Sequence, residues 1–250
     1  MTTPHIRPAT AADLPALAAL LARDAAPINP PEDQVWLAFD DQGQPLGTLR
    51  LRTRIGMQLP RVSYHLGCVV HAARELGLFH QQRTLLLGHD HTGSSELTDI
   101  AWLRAGATVQ AQADVLRALL QAARQHLHAN RAAFGERLIA ELPGPRDSAG
   151  QSPFWNGLGR HFYAGDPTAA AAAHGPDWRS HVAPLLPRHP LYTSFLPAAA
   201  QAAIGSVAEP AQLLRGLLEA AGLRVGEHIN VEDGGPILEA RIDDLPSPVD

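Results

Sequence analysis

The sequence contains no lysine, so all of its basic side chains other than histidine are arginines. The absence of lysine excludes a phosphate-binding P-loop, a Schiff-base enzyme and a Ser-x-x-Lys nucleophile, because each of these requires the lysine amine. Only one cysteine is present, Cys68, which excludes an internal disulfide. We expect Cys68 to be a small buried side chain rather than a nucleophile.

The sequence also lacks a hydrophobic run long enough to cross a membrane, and its first residues do not show the pattern of a signal peptide. With a formal net charge of −5, it offers no broad basic surface to nucleic acid. We therefore expect a cytoplasmic protein that binds neither membranes nor nucleic acid. The length of 250 residues and the hydrophobic content of 45% suffice for one substantial core, or for one domain and a half.

Histidine is abundant, with 13 residues, which raises the question of a metal site. His89 and His91 are two residues apart, as are His126 and His128. Neither pair has a cysteine or a carboxylate at a spacing that completes a ligand set, and residues two apart on a helix point away from each other. We expect no metal from these spacings.

Apolar periodicity and turn residues predict alternating strands and helices. A capping box at Thr10 and Asp13, and Ser152 before Pro153, mark helix starts. The predicted strands cover 6–8, 35–39, 46–52, 61–70, 85–87, 97–103, 138–142, 223–231 and 237–242, and the helices 14–21, 109–131, 153–162, 169–173 and 210–221. Residues 69–79 are expected to leave their strand as a helix or turn. The class is α+β, with a mixed, mainly antiparallel sheet flanked by helices.

The stretch LLLGHDHTGSSELTDIAWL, residues 85–103, crowds a polar turn between two apolar strands. It reads as a hairpin whose turn holds acceptors, donors and imidazoles, and loops held by rigid strands often carry binding groups. The alternative is a turn whose polar side chains only satisfy its own backbone.

Six segments in the same order resemble the arginine N-succinyltransferase family, which is related to the GNAT acyltransferases. They are SYHLGCVVHAARELGLF (63–79), the 85–103 stretch, SPFWNGLGRHF (152–162), PRHPLY (187–192), AAQAAIGSV (199–207) and VEDGGPILEA (231–240). The resemblance implies a GNAT-like half over residues 1–145 and a C-terminal α/β extension over 146–250, packed on the same core or forming one domain with it. It implies succinyl-CoA as co-substrate, arginine or ornithine as acceptor, and a homodimer or a heterodimer with a related subunit.

The resemblance also implies roles for particular residues. In GNAT-like folds the fourth strand is splayed from the fifth, and its free backbone groups hold the pantetheine arm. Here that strand is 97–103, and Ile100 matches the family position that contacts succinyl-CoA. Ala101 and Trp102 on the same strand are further candidates for binding the cofactor. The pyrophosphate would lie at Gly106 and the N-terminus of the following helix.

The polar turn would form the acceptor pocket. Asp90 and Glu96 are candidates for binding a guanidinium, and Arg160, Ser94 or Ser95 for binding the distal carboxylate of the succinyl group. His91 suits a general base by its ordinary pKa, although a histidine in a turn is often only hydrogen-bonded. Arg160 has the alternative of being a surface cation.

Two features depart from the family pattern. The family's catalytic acid is a histidine after an I-G-x-V stretch, but Ile204 to Val207 are followed here by Ala208. Glu209 is the neighbouring candidate, unless it only caps the next helix. The pyrophosphate loop keeps a single glycine, Gly106, and the region of 27–33 is shorter than in the family. The chain is therefore either an acyltransferase, a catalytically impaired paralogue, or a non-catalytic subunit of a heteromer.

Overall fold

The computed structural model describes residues 4–175 and 178–247. Its strands form one ten-stranded sheet in the order β1-β2-β3-β6-β7-β10-β9-β4-β5-β8. The strands are β1 His5–Pro8, β2 Asp33–Phe39, β3 Pro45–Arg52, β4 Ser63–Ala73, β5 Leu78–Gly88, β6 Ser95–Trp102, β7 Arg137–Glu141, β8 Leu191–Tyr192, β9 Arg224–Ile229 and β10 Pro236–Arg241. Neighbours pair antiparallel except β6 and β7, which are parallel. The predicted α+β class is confirmed.

The helices are α1 Leu14–Leu21, α2 Val109–Ala129, α3 Pro153–Gly157, α4 Pro167–His174, α5 Trp178–Val182, α6 Ala198–Ala203 and α7 Gln212–Ala220. The predicted start signals are present. The carboxylate of Asp13 accepts a hydrogen bond from the Thr10 N–H at 2.8 Å, in a capping box that begins a 3₁₀ turn, Ala11–Asp13, directly before α1. Oγ of Ser152 accepts one from the Trp155 N–H at 3.0 Å at the start of α3. Within the described residues, no helix combines the length and the apolar character needed to cross a membrane.

The largest core lies between the sheet and α2 with α7. Leu116 and Leu119 of α2 pack there with Leu49, Leu138 and Leu238, all of them fully buried. The spacing of the leucines on α2 gives one continuous apolar face, which fits against the flat apolar face of the strands. A second core gathers Tyr64, Leu85 and Ile229 against α3 to α6.

The predicted hairpin of residues 85–103 is wrong. β5 and β6 do form on either side of the polar turn, but β5 pairs with β4 and β8, whereas β6 pairs with β3 and β7. The turn is instead a crossover loop, residues 89–94, that passes beside β9, β10 and the start of β7. The sequence does not reveal this because strand partners are chosen by the whole sheet rather than by the turn alone.

The prediction of a helix or turn over 69–79 is also mostly wrong. β4 continues to Ala73, a short turn follows, and β5 returns from Leu78. Among the described strands, these two pair only with each other from Cys68 to Arg83, so they form a projecting two-stranded arm. Cys68 lies on this arm and is exposed, which corrects the expectation of a buried side chain.

Candidate active site

β6 has one fully paired edge and one partly open edge. β3 pairs with it from Glu96 to Trp102, whereas β7 pairs with it only from Ser95 to Leu97. Beyond Leu97 the two parallel strands have no further register pairs, and residues 98–101 are half-buried. Backbone groups on this edge are therefore available to an extended ligand, as expected for a splayed strand.

A β-bulge lies where β6 leaves β7. The register against β3 shifts between Thr98 and Ala101, and Asp99 has a φ of 49°. A positive φ is unfavourable for a residue other than glycine, so its surroundings must hold Asp99 in place. The carboxylate does this by accepting hydrogen bonds from Arg50, at 2.8 Å, and from Arg23. The bulge fixes the direction in which Ile100 presents its backbone.

The loop after β6 leads directly into α2. Gly106 adopts a φ of 73°, and Oγ1 of Thr108 caps the helix by accepting from the Ala111 N–H at 3.2 Å. Gln112 fastens the loop, since its Oε1 accepts from Nε1 of Trp102 at 2.9 Å and its Nε2 donates to the Ala107 carbonyl. The N-terminus of α2 thus lies next to the open edge of β6, where it offers N–H groups to an anion.

Ala208 lies beside the continuation of β7. Its N–H donates to the carbonyl of Pro143 at 2.8 Å, and the preceding Val207 packs in the same core as Leu97. Glu209 is exposed at the start of a short helical turn. Ala208 is therefore next to the strand from which β6 splays, and it presents a methyl group there.

The crossover loop places His91 inside the molecule. His91 is 2% exposed, and its Nε2 lies 3.5 Å from Oε2 of Glu239 on β10. Its ring also meets the ring of His228 on β9, with centroids 4.4 Å apart. Asp90 accepts a hydrogen bond from Nε2 of His228 at 3.1 Å. His228 and Glu239 are site residues that the sequence did not suggest, because they are far from the loop along the chain.

The serines of the predicted acceptor pocket are buried. Oγ of Ser95 donates to the Thr53 carbonyl at 2.6 Å and accepts from the Gly135 N–H at 3.0 Å. Both partners are backbone groups, so this hydroxyl holds the start of β6 in place. Ser94 is also buried, and its carbonyl accepts from the Ile55 N–H.

Glu96 belongs to a network of buried charges. Arg61 contacts both Glu96 and Glu141, the latter at 2.9 Å, and Arg179 contacts Glu141 at 2.8 Å and Glu232 at 2.5 Å. Glu96 is one of the two carboxylates predicted to bind a substrate guanidinium, and it is paired with the chain's own Arg61. The sequence pattern missed Arg61 and Arg179, since isolated arginines carry no local signal.

Charge pairing lowers the pKa of several carboxyl groups here. The contact with His91 is the largest cause that lowers the pKa of Glu239, to about 2; burial acts against it and the ion pair with Arg137 supports it. Burial raises the pKa of Glu141, but Arg179 and Arg61 outweigh it, so that this pKa is lowered. Burial also lowers the pKa of His228. At neutral pH Glu239 and Glu141 are therefore ionised and His228 is neutral.

Strand register separates the predicted base from the predicted thioester position. Glu96, Ile139 and Glu239 lie opposite one another on three neighbouring strands and so share one face of the sheet. His91 contacts Glu239 at that level, whereas Ile100 lies four residues further along β6, roughly 13 Å at 3.3 Å per residue. The structure brings together Asp90 and His91 but does not bring either of them to Ile100.

Arg160 lies at the surface after α3. Its Nη1 is 3.5 Å from Oδ1 of Asn156, at the limit of a hydrogen bond. Within 4–175 and 178–247, no hydrogen bond or ion pair joins Arg160 to the crossover loop or to β6. Its predicted contact with a succinyl carboxylate stays a prediction.

Comparison with known proteins supports the resemblance. A family described as the arginine N-succinyltransferase beta subunit matches residues 22–247. The arginine N-succinyltransferases of Enterobacter sp. (strain 638) and of Salmonella newport (strain SL254) are each 36% identical to this chain over 212 residues. That region is 83% of this chain and 59% of each relative, so the chain spans well under two thirds of their length.

A solved structure is similar over nearly the whole chain. It is the arginine/ornithine succinyltransferase subunit AI from Pseudomonas aeruginosa, with a TM-score of 0.79 and 27% sequence identity. The similarity covers 99% of this chain and 79% of the Pseudomonas chain. The architecture described above is therefore shared with that subunit.

Proposed function

Because the chain belongs to the arginine N-succinyltransferase beta subunit family, we propose that it transfers a succinyl group from succinyl-CoA to an amino group of arginine or ornithine. The single observation that carries this proposal is the open edge of β6 beyond Leu97, next to the N-terminus of α2. The thioester would lie along Ile100, Ala101 and Trp102, and the pyrophosphate at Gly106 and the first turn of α2. The reaction would take place in the cytoplasm.

The acceptor would approach from the face that carries the buried charges. Among the predicted carboxylates, Asp90 is the one with room for a guanidinium, because it is 57% exposed and its recorded partner is a single histidine. Glu96 is buried against Arg61 and could bind a substrate only if Arg61 moved. Arg160, Ser94 and Ser95 remain the proposed partners of the succinyl carboxylate, although the Ser95 hydroxyl is already bonded to backbone on both sides.

Amide formation requires a neutral amine and a protonated leaving thiol. A thiol pKa near 8.5 makes the need for an acid mild, so that solvent or Glu209 could supply the proton. Glu209 is better placed than His91 for this step, because it adjoins Ala208 beside the end of β7. His91 stays a candidate base only through intervening water, given its separation from Ile100.

The proposal is tested by adding succinyl-CoA and arginine to the purified chain and following free thiol. CoA affinity is measured in parallel by calorimetry. Arginine-dependent thiol release supports the transferase. Failure to bind CoA at millimolar concentration overturns it, because the open edge of β6 would then not be a CoA site.

A non-catalytic subunit is the second candidate function, and Ala208 is the observation that favours it. A methyl group at that position cannot donate a proton, and the loop before α2 keeps only Gly106. CoA binding without thiol release, together with release when an active relative is added, would support this candidate.

We also propose that the chain pairs with a second copy or with a related subunit. The projecting arm of 68–83 carries apolar side chains that are largely exposed, among them Leu76 at 79% and Phe79 at 71%. Exposed apolar groups concentrated on one projection are typical of an interface.

A further inference from the structure

The structure brings three potential metal ligands together from segments far apart in the sequence. His91 comes from the crossover loop, His228 from β9 and Glu239 from β10, and one ligand atom of each lies within 4.8 Å of the others. The histidine pairs 89/91 and 126/128 are close in sequence, whereas this group forms only when the crossover loop passes β9 and β10.

Within the described residues, Nε2 of His91 and Nδ1 of His228 are buried and make no hydrogen bond of good geometry. The carboxylate nearest to the His91 nitrogen is that of Glu239, whose Oε2 lies 3.5 Å away, at the limit of a hydrogen bond. A polar atom that is buried without a full hydrogen bond destabilises the folded state, so two such nitrogens close to one carboxylate require an explanation. A lone pair on each of these nitrogens directed at a cation would provide one.

The outward nitrogens already have partners of the kind that support metal-bound histidines. Nε2 of His228 donates to Oδ2 of Asp90 at 3.1 Å, and Oγ of Ser63 lies 3.5 Å from Nδ1 of His91. An oxygen acceptor on one ring nitrogen fixes the proton there and leaves the lone pair on the other. For His228 this leaves the lone pair of Nδ1 free for a metal, and the Ser63 hydroxyl, which can accept as well as donate, allows the corresponding tautomer of His91.

We propose that His91, His228 and Glu239 bind a divalent transition-metal ion, best matched by Zn²⁺. Two imidazoles and one carboxylate are a common set of three zinc ligands, with a fourth position left to water. Mg²⁺ and Ca²⁺ prefer oxygen ligands alone and fit the two imidazoles poorly. The ion would fasten the crossover loop to β9 and β10, and with it the segment that leads into β6.

Distances in the cluster are compatible with zinc after a small adjustment. Zinc bonds of about 2.0–2.1 Å in a tetrahedral site place ligand atoms roughly 3.3 Å apart. Nε2 of His91 and Oε2 of Glu239 are 3.5 Å apart, and the three ligand atoms lie within 4.8 Å of one another, so each separation would close by at most roughly 1.5 Å. Arg137 now contacts the same carboxylate oxygen at 2.8 Å, and because its side chain is 53% exposed it can turn into solvent when the ion binds.

The test is the zinc content of the purified chain after treatment with a chelator, addition of excess Zn²⁺ and removal of unbound metal. We expect about one zinc per chain and a stabilised protein, since an ion that binds only the folded state raises Tm. Substituting Co²⁺ gives a second measurement, because tetrahedral cobalt has a visible absorption spectrum. A zinc content below roughly a tenth per chain would overturn the proposal.

Variants distinguish zinc binding at this site from zinc binding at exposed histidines elsewhere in the protein. His91→Asn should lower the zinc affinity at least 100-fold, whereas His89→Asn, an exposed histidine in the same loop, should leave it unchanged. Equal affinities for His91→Asn and the unaltered chain would mean that zinc binds elsewhere, and the proposal would fail.

Asp90→Asn is a second variant, for the case in which the buried substitution His91→Asn prevents folding. The Asp90 side chain is 57% exposed, so replacing it should leave the fold intact. Loss of its support for His228 should weaken zinc binding about 10–100-fold. Unchanged binding in Asp90→Asn and in Glu239→Gln together would also overturn the site. None of these measurements depends on succinyl transfer. Zinc binding and succinyltransferase activity are therefore tested independently of each other.

Discussion

Nε of Arg50 donates to Oδ2 of Asp99 at 2.8 Å, at the residue where β6 takes a positive φ and turns away from β7. Arg50 is 1% exposed and also binds Asp33 at 2.5 Å and the carbonyls of Ala26 and Pro27. One buried guanidinium thus joins β3, the bulge of β6 and the irregular segment before β2. The open edge of β6 depends on this contact for its shape.

Removing Arg50 should destabilise the protein strongly. Arg50→Ala leaves Asp33 and Asp99 buried without their shared cation, and breaking a buried pair from one side costs about 3–5 kcal/mol. Arg23→Ala is the matched control, because Arg23 contacts the same Asp99 but is half-exposed, and the expected loss is below about 1 kcal/mol. Urea unfolding measures both, and equal losses would show that Arg50 does not hold the bulge.

The contact of Arg7 with Asp13 should make stability depend on pH in the acidic range. The hydrogen bond from Arg7 is the main cause that lowers the pKa of Asp13 below its usual 3.8. A carboxyl group with a lowered pKa in the folded state stabilises it above the unfolded pKa, and this contribution is lost as the pH falls below that value.

Asp13→Asn should therefore be less stable than the unaltered protein at pH 7, by about 1 kcal/mol because Arg7 is partly exposed. The difference should shrink as the pH falls below 3.8, which thermal unfolding at pH 7, 4 and 3 would measure. If the difference in stability stayed constant with pH, it would come from the lost capping hydrogen bond with Thr10 and not from the charge of Asp13.

The local elements were predictable because their signals are local. Ser152 with Pro153, and Thr10 with Asp13, start helices through hydrogen bonds within a few residues, and α2 shows its buried leucines at helical spacing. The partners of the strands were not predictable in this way. β5 and β6 are joined by the crossover loop of 89–94 and still lie apart in the sheet, with β7, β10, β9 and β4 between them, and no local turn signal encodes that order.

The same distinction applies to the candidate site. The segment with Ile100 was predicted from the family resemblance, and its open edge lies in one continuous strand. His228, Glu239 and Arg61 could not be predicted from local pattern, since they join the site only through sheet register and the path of the crossover loop. Charged residues scattered along a sequence give no sign of the contacts they make after folding.

The projecting arm gives a prediction about assembly. Leu76→Ser combined with Phe79→Ser should weaken self-association without unfolding the chain, because both side chains are exposed and support no core. Light scattering after size-exclusion chromatography, over a range of concentrations, measures the effect. Gln81→Ser on the same arm is the control, and a dimer of unchanged affinity in the double variant would place the interface elsewhere.

Ala208 allows a gain-of-function test of the proposed chemistry. Its backbone is fixed beside the end of β7 by the hydrogen bond to Pro143, so a side chain at this position starts from a defined point near the splay of β6. Ala208→His would place a proton donor at the position where the resemblance implies a catalytic histidine, and acid catalysis typically contributes about 10²–10⁴-fold. We expect at least roughly tenfold faster thiol release from succinyl-CoA in the presence of arginine.

Ala208→Gln is the matched control for Ala208→His, because it adds a side chain of similar length without a group that titrates near neutral pH. It should not accelerate thiol release. The gain in Ala208→His should also follow the ionisation of an imidazole, so the ratio of the two variants should change between pH 5 and 8. Equal rates in the two variants across that range would mean that the leaving thiol takes its proton from another group, and Glu209→Gln would then distinguish Glu209 from solvent as the donor.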